Sequence, residues 1–142
     1  MLRSKASFYG ILAVAEVARH QKAKGGGLQA AEIALRLHLP AAYAAKVLTQ
    51  LARANVLRSD RGPHGGFHLA NAAEGVKLVE IIEAVDGPMS VDIDVPAPAH
   101  DPTLWRVVQE VFGDVVCETR ESLRRRTVAD LLDACGGTPA IT

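Results

Sequence analysis

The spacing of apolar residues between positions 30 and 54 predicts two short helices separated by a tight break. Ile33 and Leu37 lie four positions apart, and His38-Leu39-Pro40 then interrupts the pattern. Pro40 fits the start of the second helix, because the first turn of a helix needs no donor from that position. The second helix has apolar residues at helical spacing, namely Ala44, Val47, Leu48 and Leu51. Its opposite face is slender, polar and basic, as in a helix that enters a DNA major groove, and carries Ala42, Ala45, Lys46, Thr49, Gln50 and Arg53.

A glycine-rich bend follows between the apolar runs Val56-Leu57 and 67–69. Its glycines tolerate positive φ and Pro63 presets one turn dihedral, so the segment predicts a two-stranded hairpin with Arg61 at its tip. A guanidinium on so slender a tip suits the negative potential of a DNA minor groove. The alternative is an ordinary surface hairpin with a solvated arginine. Helix, turn, helix and hairpin in this order favour a winged helix-turn-helix domain.

Four further helices are predicted outside this motif. Residues 5–19 give a first helix with one apolar side, made of Phe8, Ile11, Leu12, Ala15 and Ala18. The glycines at 25–27 indicate a flexible loop. Residues 78–85 give a fourth helix that ends at Gly87-Pro88. A last short helix follows the capping box formed by Thr127 and Asp130.

The longest predicted helix covers residues 103–125, with Asp101 as N-cap and Pro102 at the first helical position. Its apolar residues form a coiled-coil-like seam, namely Leu104, Val107, Val108, Val111, Phe112 and Val115. Because the helix follows a proline-rich linker, the seam predicts packing against a second copy of the chain. We therefore expect three segments: a winged domain at 1–87, a linker at 88–102, and a dimerisation helix with a C-terminal helix at 103–142.

The chain resembles the Rrf-two (Rrf2) family of bacterial winged-helix transcription regulators. The matching segments include Ser4-Lys5, 31–34, Tyr43, Leu48, Leu51, 61–69, Leu78, Ile81-Ile82 and 85–87, with weaker matches at Leu104-Trp105 and 127–132. The resemblance implies a mainly α fold with a small β-hairpin, binding to double-stranded DNA, and dimerisation through the long helix.

The DNA-contact set follows from the matched segments and from the basic face of the second helix. It comprises Ser4, Lys5, Pro40, Ala42, Tyr43, Ala45, Lys46, Gln50, Arg53, Arg58, Arg61, Gly62, Pro63, His64 and Gly65. Alanines can only touch a thymine methyl, which leaves Lys46 and Gln50 as candidate base readers. His64 stands where relatives usually have a glycine, so no relative's operator can be transferred.

The family's sensing chemistry is missing from this sequence. Cluster-binding members have three cysteines between the fourth helix and the dimer helix, whereas this interval has none. An iron–sulfur cluster needs about three or four thiolate-type ligands, and His100 or Asp101 could not replace them. The two cysteines lie later, and the apolar neighbours of Cys117 predict a buried thiol of raised pKa. We therefore expect no cofactor and no metal. Both cysteines are expected to be structural or incidental, and the alternative for Cys117 is a thiol switch across the dimer.

Charge separates the chain into two halves. Residues 1–69 have ten Lys and Arg against three Asp and Glu, and residues 70–142 have six against thirteen, although the net charge is zero. A locally basic half favours nucleic acid as partner. No apolar run is long enough to span a membrane, and the N-terminus does not read as a signal peptide, which predicts a cytoplasmic protein. No catalytic motif is present, so an enzyme is not expected.

These observations predict a homodimeric, sequence-specific DNA-binding regulator, acting as a repressor on a roughly palindromic operator without an iron–sulfur cluster. Two alternatives remain. The first is a winged-helix protein–protein interaction module. The second is the same DNA-binding regulator switched by a small-molecule effector or by oxidation of Cys117.

Overall fold

The computed structural model describes residues 4–63, 65–91 and 95–136. Within these ranges the chain forms α-helices, one two-stranded sheet and a short 3-10 turn at Ala73–Gly75. The elements are α1 (Lys5–Lys24), α2 (Ala30–Arg36), α3 (Ala41–Arg53), β1 (Leu57–Asp60), β2 (Gly66–Leu69), α4 (Leu78–Asp86), α5 (Pro102–Arg124) and α6 (Val128–Gly136). The expected fold class, mainly α with a small β-hairpin, is confirmed. His64, Asp92 and Asp94 lie outside the described residues.

Helix α1 starts where the sequence predicted, but it buries a different side. Ser4 is the N-cap, and its Oγ accepts from the Ser7 amide at 3.4 Å. Phe8 was expected in the core, yet 65% of its surface is exposed. The buried side is instead built of small residues, because α4 packs closely there: a Cβ on Gly10 would lie 3.4 Å from Ile81 and Val85. The buried residues of α1 are Ser7, Gly10, Ala13, Val14, Val17 and Ala18.

The helix–turn–helix unit agrees with its predicted pattern. All four apolar residues predicted for the inner stripe of α3 are buried. The chain reverses between α2 and α3 at His38, which has φ of 53°. Asn55 has φ of 58° after α3 and directs the chain into β1. Both are left-handed positions, which non-glycine residues adopt at some cost in energy.

The predicted hairpin is present, and a third segment extends it. Strands β1 and β2 are antiparallel, with Leu57 opposite Leu69 and Asp60 opposite Gly66. Leu28 pairs with the outer side of Phe67 through two backbone hydrogen bonds of 3.0 and 2.9 Å. The loop at 25–27, expected only to be flexible, therefore places Leu28 at the edge of the hairpin β1–β2, which is the wing of the fold.

The C-terminal segment divides between two environments. Helix α5 starts at the predicted cap, where Asp101 Oδ1 accepts from the Leu104 amide at 2.9 Å. Its first half stands off the core, whereas Val116 is buried against the winged domain. Helix α6 returns to α1, and Val128 is fully buried in the common core.

Candidate nucleic-acid interface

The solvent face of α3 has the composition that the sequence predicted, but its hydrogen-bonding groups are partly occupied. Ala42, Ala45 and Lys46 are exposed, as is Arg53. Thr49 is exposed too, but its hydroxyl donates to the Ala45 carbonyl at 2.7 Å. A single lysine therefore remains as the long hydrogen-bond donor in the middle of this face.

Two side chains predicted to contact DNA from α3 make contacts within the protein. Gln50 is half-buried, and its Nε2 donates to the carbonyl of Val85 at 3.5 Å, a long hydrogen bond that directs the amide toward the end of α4. Tyr43 is half-buried, and its ring meets Tyr9 edge-on with centroids 5.9 Å apart. Both residues position α3 on its neighbours. Pro40 is exposed as the N-cap of α3, next to the solvent face of that helix.

The start of α1 presents one cation beside a hydrogen-bonded serine. Lys5 is exposed. The Ser4 hydroxyl donates to Asp86 Oδ1 at 2.8 Å, and the Ser7 hydroxyl donates to the other oxygen of the same carboxylate. Asp86 thus accepts two hydroxyls at the N-terminus of α1, where a negative charge is favourable. The side chain of Ser4 is therefore committed to the fold.

The wing exposes its cations and buries its closing glycines. Arg58, Arg61, Gly62 and Pro63 are all exposed. Gly65, another predicted contact residue, is buried and closes the turn, and a Cβ there would lie 2.7 Å from the carbonyl carbon of Arg61. Gln29 supports the same turn, since its Nε2 donates to the Gly65 carbonyl at 3.1 Å.

The acidic residues of the basic half already have partners. Glu16 pairs with Arg19 and Arg36, and Glu32 also pairs with Arg36. The hydrogen bond to Glu32 raises the pKa of the Arg36 guanidinium. Asp60 Oδ2 lies 3.0 Å from His68 Nε2. Within 4–63, 65–91 and 95–136, seven cations of this half take part in no ion pair. Two of them, Lys22 and Lys24, lie at the end of α1, and the others are Lys5, Lys46, Arg53, Arg58 and Arg61.

The seam of α5 is exposed in the single chain. All six predicted seam residues are accessible, from 42% at Val107 to 59% at Leu104. Cys117 is also exposed, so the prediction of a buried thiol is wrong. It lies two residues after Val115, about 200° around the helix at 3.6 residues per turn, and so faces away from the seam. Cys135 is exposed as well.

A cavity lies between the winged domain and α5. Its volume is about 540 Å³. Its walls combine apolar side chains with two polar groups from the start of α1 and the end of α4. They include Ser4, Ile82, Asp86, Met89, Phe112 and Val116.

The described residues contain no group of three or more His, Cys, Asp and Glu side chains arranged to hold a metal ion. In the same part of the chain, no helix is long and apolar enough to cross a membrane.

Comparison with known proteins agrees with this architecture. HTH-type transcriptional regulator IscR of Cereibacter sphaeroides is 33% identical over 78 residues, which are 55% of this chain and half the length of that relative. Protein rrf2 of Nitratidesulfovibrio vulgaris is 26% identical over 148 aligned residues, covering 96% of this chain and 95% of that one. The structure of T. potens IscR superposes with a TM-score of 0.75 at 25% identity, covering 96% and 91% of the two chains.

The family profile matches nearly the whole chain. The Rrf2 profile, described as an iron-dependent transcriptional regulator, matches residues 3–134. The relatives are transcriptional regulators and not enzymes. The chain therefore belongs to the Rrf2 family of DNA-binding transcriptional regulators.

Proposed function

We propose that this protein binds a roughly palindromic operator as a homodimer and represses transcription without an iron–sulfur cluster. The observation that carries the proposal is the set of cations without ion-pair partners on α3 and the wing, among the described residues. Lys46 and Arg53 follow the exposed face of α3, and Arg58 and Arg61 follow β1 to the wing tip. Phosphate contacts depend on such local positive charge, whatever the net charge of the whole chain.

The homodimer rests on the seam of α5. The first half of α5 stands off the core and exposes a row of leucine, valine and phenylalanine side chains. The same helix of a second chain would cover this row. A two-fold dimer would present two copies of α3 to half-sites about 34–36 Å apart or a multiple of that distance. The operator is therefore expected to repeat as an inverted sequence.

Repression is the outcome that we propose for an operator that overlaps a promoter. A dimer that covers both half-sites and the minor groove between or beside them excludes polymerase from an overlapping promoter. The alternative of a protein–protein module that never touches DNA is less consistent with a family of DNA-binding regulators and with the partnerless cations.

The cluster-free state rests on a count of ligands. The family description names iron, but the chain has two cysteines and none between Gly87 and Trp105. Cys117 lies in mid-α5 and Cys135 lies in α6, and neither is part of a metal-holding group among the described residues. These residues do not fit an iron–sulfur cluster, which requires about four thiolate-type ligands.

The cavity beside α5 favours one refinement, in which a small molecule switches DNA binding. Its volume of about 540 Å³ falls within the range of about 300–1,000 Å³ typical of ligand sites. Ser4 and Asp86 in its wall also fix the start of α1, which carries Lys5. A ligand here would therefore touch both the dimer helix and a DNA-facing element. Oxidation of Cys117 remains a weaker prediction, because the thiol is exposed but faces away from the seam.

The test is selection of bound duplexes from a random library by the full-length protein, followed by titration at several salt concentrations. We expect an enriched inverted repeat, and an affinity that falls steeply with salt, with about 0.9 units of logarithmic slope per phosphate contact. Transcription in vitro from a promoter that contains the repeat should fall when the protein is added. Equal, weak binding to all sequences would refute the proposal.

A further inference from the structure

The exposed face of α3 offers methyl groups where a helix that reads bases by hydrogen bonds would offer polar ones. Ala42 and Ala45 are exposed and carry no polar atom. The Thr49 hydroxyl donates its hydrogen bond to the Ala45 carbonyl at 2.7 Å. The Thr49 methyl therefore joins the two alanines as an apolar group on this face. Gln50, the remaining amide, is directed to the Val85 carbonyl. Lys46 is the exception, since its ammonium has no ion pair within the described chain.

We propose that α3 reads the C5-methyl groups of thymines in the major groove, with Lys46 fixing the register on one guanine. The thymine methyl is the apolar group that a base pair presents in that groove, and alanine and the threonine methyl are suited to contact it. Lysine pairs with the O6 and N7 acceptors of guanine. This inference rests on the proposed binding of DNA through α3, and it names the chemical feature of the operator that α3 recognises.

The spacing of the methyl groups sets the length of the half-site. Ala42, Ala45 and Thr49 follow one face at intervals of three and four residues. Seven residues of helix rise about 10.5 Å, which matches about three base pairs at about 3.4 Å per step. We therefore expect two or three thymine methyls and one guanine within three to four consecutive base pairs of each half-site.

Small side chains also let the helix backbone come close to the bases. Contact between two methyl carbons requires a separation of about 4 Å, and alanine adds one carbon beyond the backbone. A helix with long polar residues at positions 42 and 45 would stand further out. The absence of bulk on this face is therefore part of the recognition and not a missing contact.

The experiment changes the DNA and leaves the protein intact. Each thymine of the selected half-site is replaced in turn by deoxyuridine, which keeps Watson–Crick pairing and removes only the methyl group. Each contacted methyl should contribute about fourfold in affinity, the equivalent of burying one such carbon. Thymines outside the half-sites serve as controls and should tolerate uracil. Where a T·A pair is changed to C·G, the protein should bind the duplex with 5-methylcytosine more tightly than the duplex with cytosine, because 5-methylcytosine restores the methyl group.

A protein variant then assigns one methyl to one residue. Ala45→Gly should bring the thymine-to-uracil affinity ratio at one position close to one and leave the other positions unchanged. Ala54→Gly, at the exposed C-cap of α3 and on its opposite side, is a control that should leave every thymine-to-uracil ratio unchanged. Lys46→Ala should relax the preference at the guanine.

The outcomes separate this inference from the proposed function. Equal affinity for thymine and uracil duplexes at every half-site position would overturn methyl recognition. Salt-dependent, sequence-selective binding that persists in that case would leave the DNA-binding proposal standing. If Ala45→Gly does not fold, the uracil series on the native protein still decides the matter.

Discussion

Arg120 on α5 holds the carboxylate of Glu83 on α4 through two contacts, Nε to Oε1 at 2.5 Å and Nη2 to Oε2 at 3.1 Å. The hydrogen bonds from Arg120, its charge, and the Met89 backbone amide lower the pKa of Glu83 against the opposing effect of burial. This bidentate pair joins the winged domain to the helix that carries the seam, beside buried Val116. The orientation of α5 therefore depends on a charged contact next to a small apolar one.

Glu83→Gln should weaken this junction and lower the Tm of the protein at neutral pH. Because the pKa of Glu83 is lower in the folded state, the stabilisation is fully present above the ordinary value of 4.5 and is lost as pH falls through the lowered folded value. The gap in Tm between the native protein and the variant should therefore close below about pH 4.5. Thermal unfolding across pH measures it. Glu110→Gln, which breaks an exposed pair within α5, is the control and should change Tm little. A Tm difference that stays constant across pH would contradict the role of the ionised Glu83 carboxylate in this junction.

Arg61→Ala should weaken specific DNA binding by about 1–3 kcal/mol and relax the preference for A·T pairs beside the half-site, because a guanidinium in the minor groove reads its narrow width. Arg53→Ala should weaken binding to all sequences alike and reduce the salt slope by about one unit. Arg19→Ala is the control, since Arg19 belongs to the same basic half but pairs with Glu16. Fluorescence anisotropy with selected and scrambled duplexes separates the two effects. Unchanged specificity in Arg61→Ala would make the wing a structural hairpin only.

Much of the fold was predictable because its signals are local. The inner stripe of α3, the cap at Asp101 and the capping box at Thr127 depend on residues within one or two turns of each other. The hairpin followed from turn chemistry at 61–66. Each of these features is fixed by a short stretch of chain, so periodicity and turn residues were enough.

The errors all involve contacts between segments distant in sequence. Phe8 is bulky and in phase with other apolar residues, but the side of α1 that faces α4 accommodates only small ones around Gly10. Cys117 has apolar neighbours in sequence, yet it lies on the side of α5 away from both the core and the seam. The long hydrogen bond from Gln50 to Val85 also forms because α4 packs beside α3, while contact of Gln50 with DNA stays a prediction. No local pattern contains this information.

Gly66→Ala should destabilise the wing strongly. Gly66 has φ of 113°, and a Cβ there would lie 2.7 Å from the backbone carbon and oxygen of Leu28. The strained backbone and the clash together should cost about 2 kcal/mol or more in the free energy of unfolding. Gly75→Ala is the matched control, because open space surrounds Gly75 and its φ is not positive. Urea unfolding of both variants provides the comparison; equal midpoints would contradict the close packing of Leu28 on β2.

Val111→Lys should dissociate the dimer, because it places a charge in the middle of the apolar seam of α5. We expect the dimer Kd to rise about tenfold or more. Glu110→Lys introduces the same residue on the polar side of the helix and should leave the dimer intact. Light scattering over a range of micromolar concentrations measures both. A native protein that is monomeric at these concentrations would contradict the role of the seam.

The last prediction is that protein purified without oxygen, from cells supplied with iron and cysteine, carries no iron–sulfur cluster. The segment between α4 and α5 contributes no thiol. A cluster uses about four ligands, and one chain has only two cysteines. A dimer could supply four thiols only if both pairs met near the two-fold axis, whereas Cys117 faces away from the seam through which we expect the chains to pair. The protein should be colourless and free of stoichiometric iron and sulfide. Its DNA affinity should be the same before and after treatment with an iron chelator. A brown preparation that loses its colour in Cys117→Ser would place that thiol in a cluster and require a different dimer.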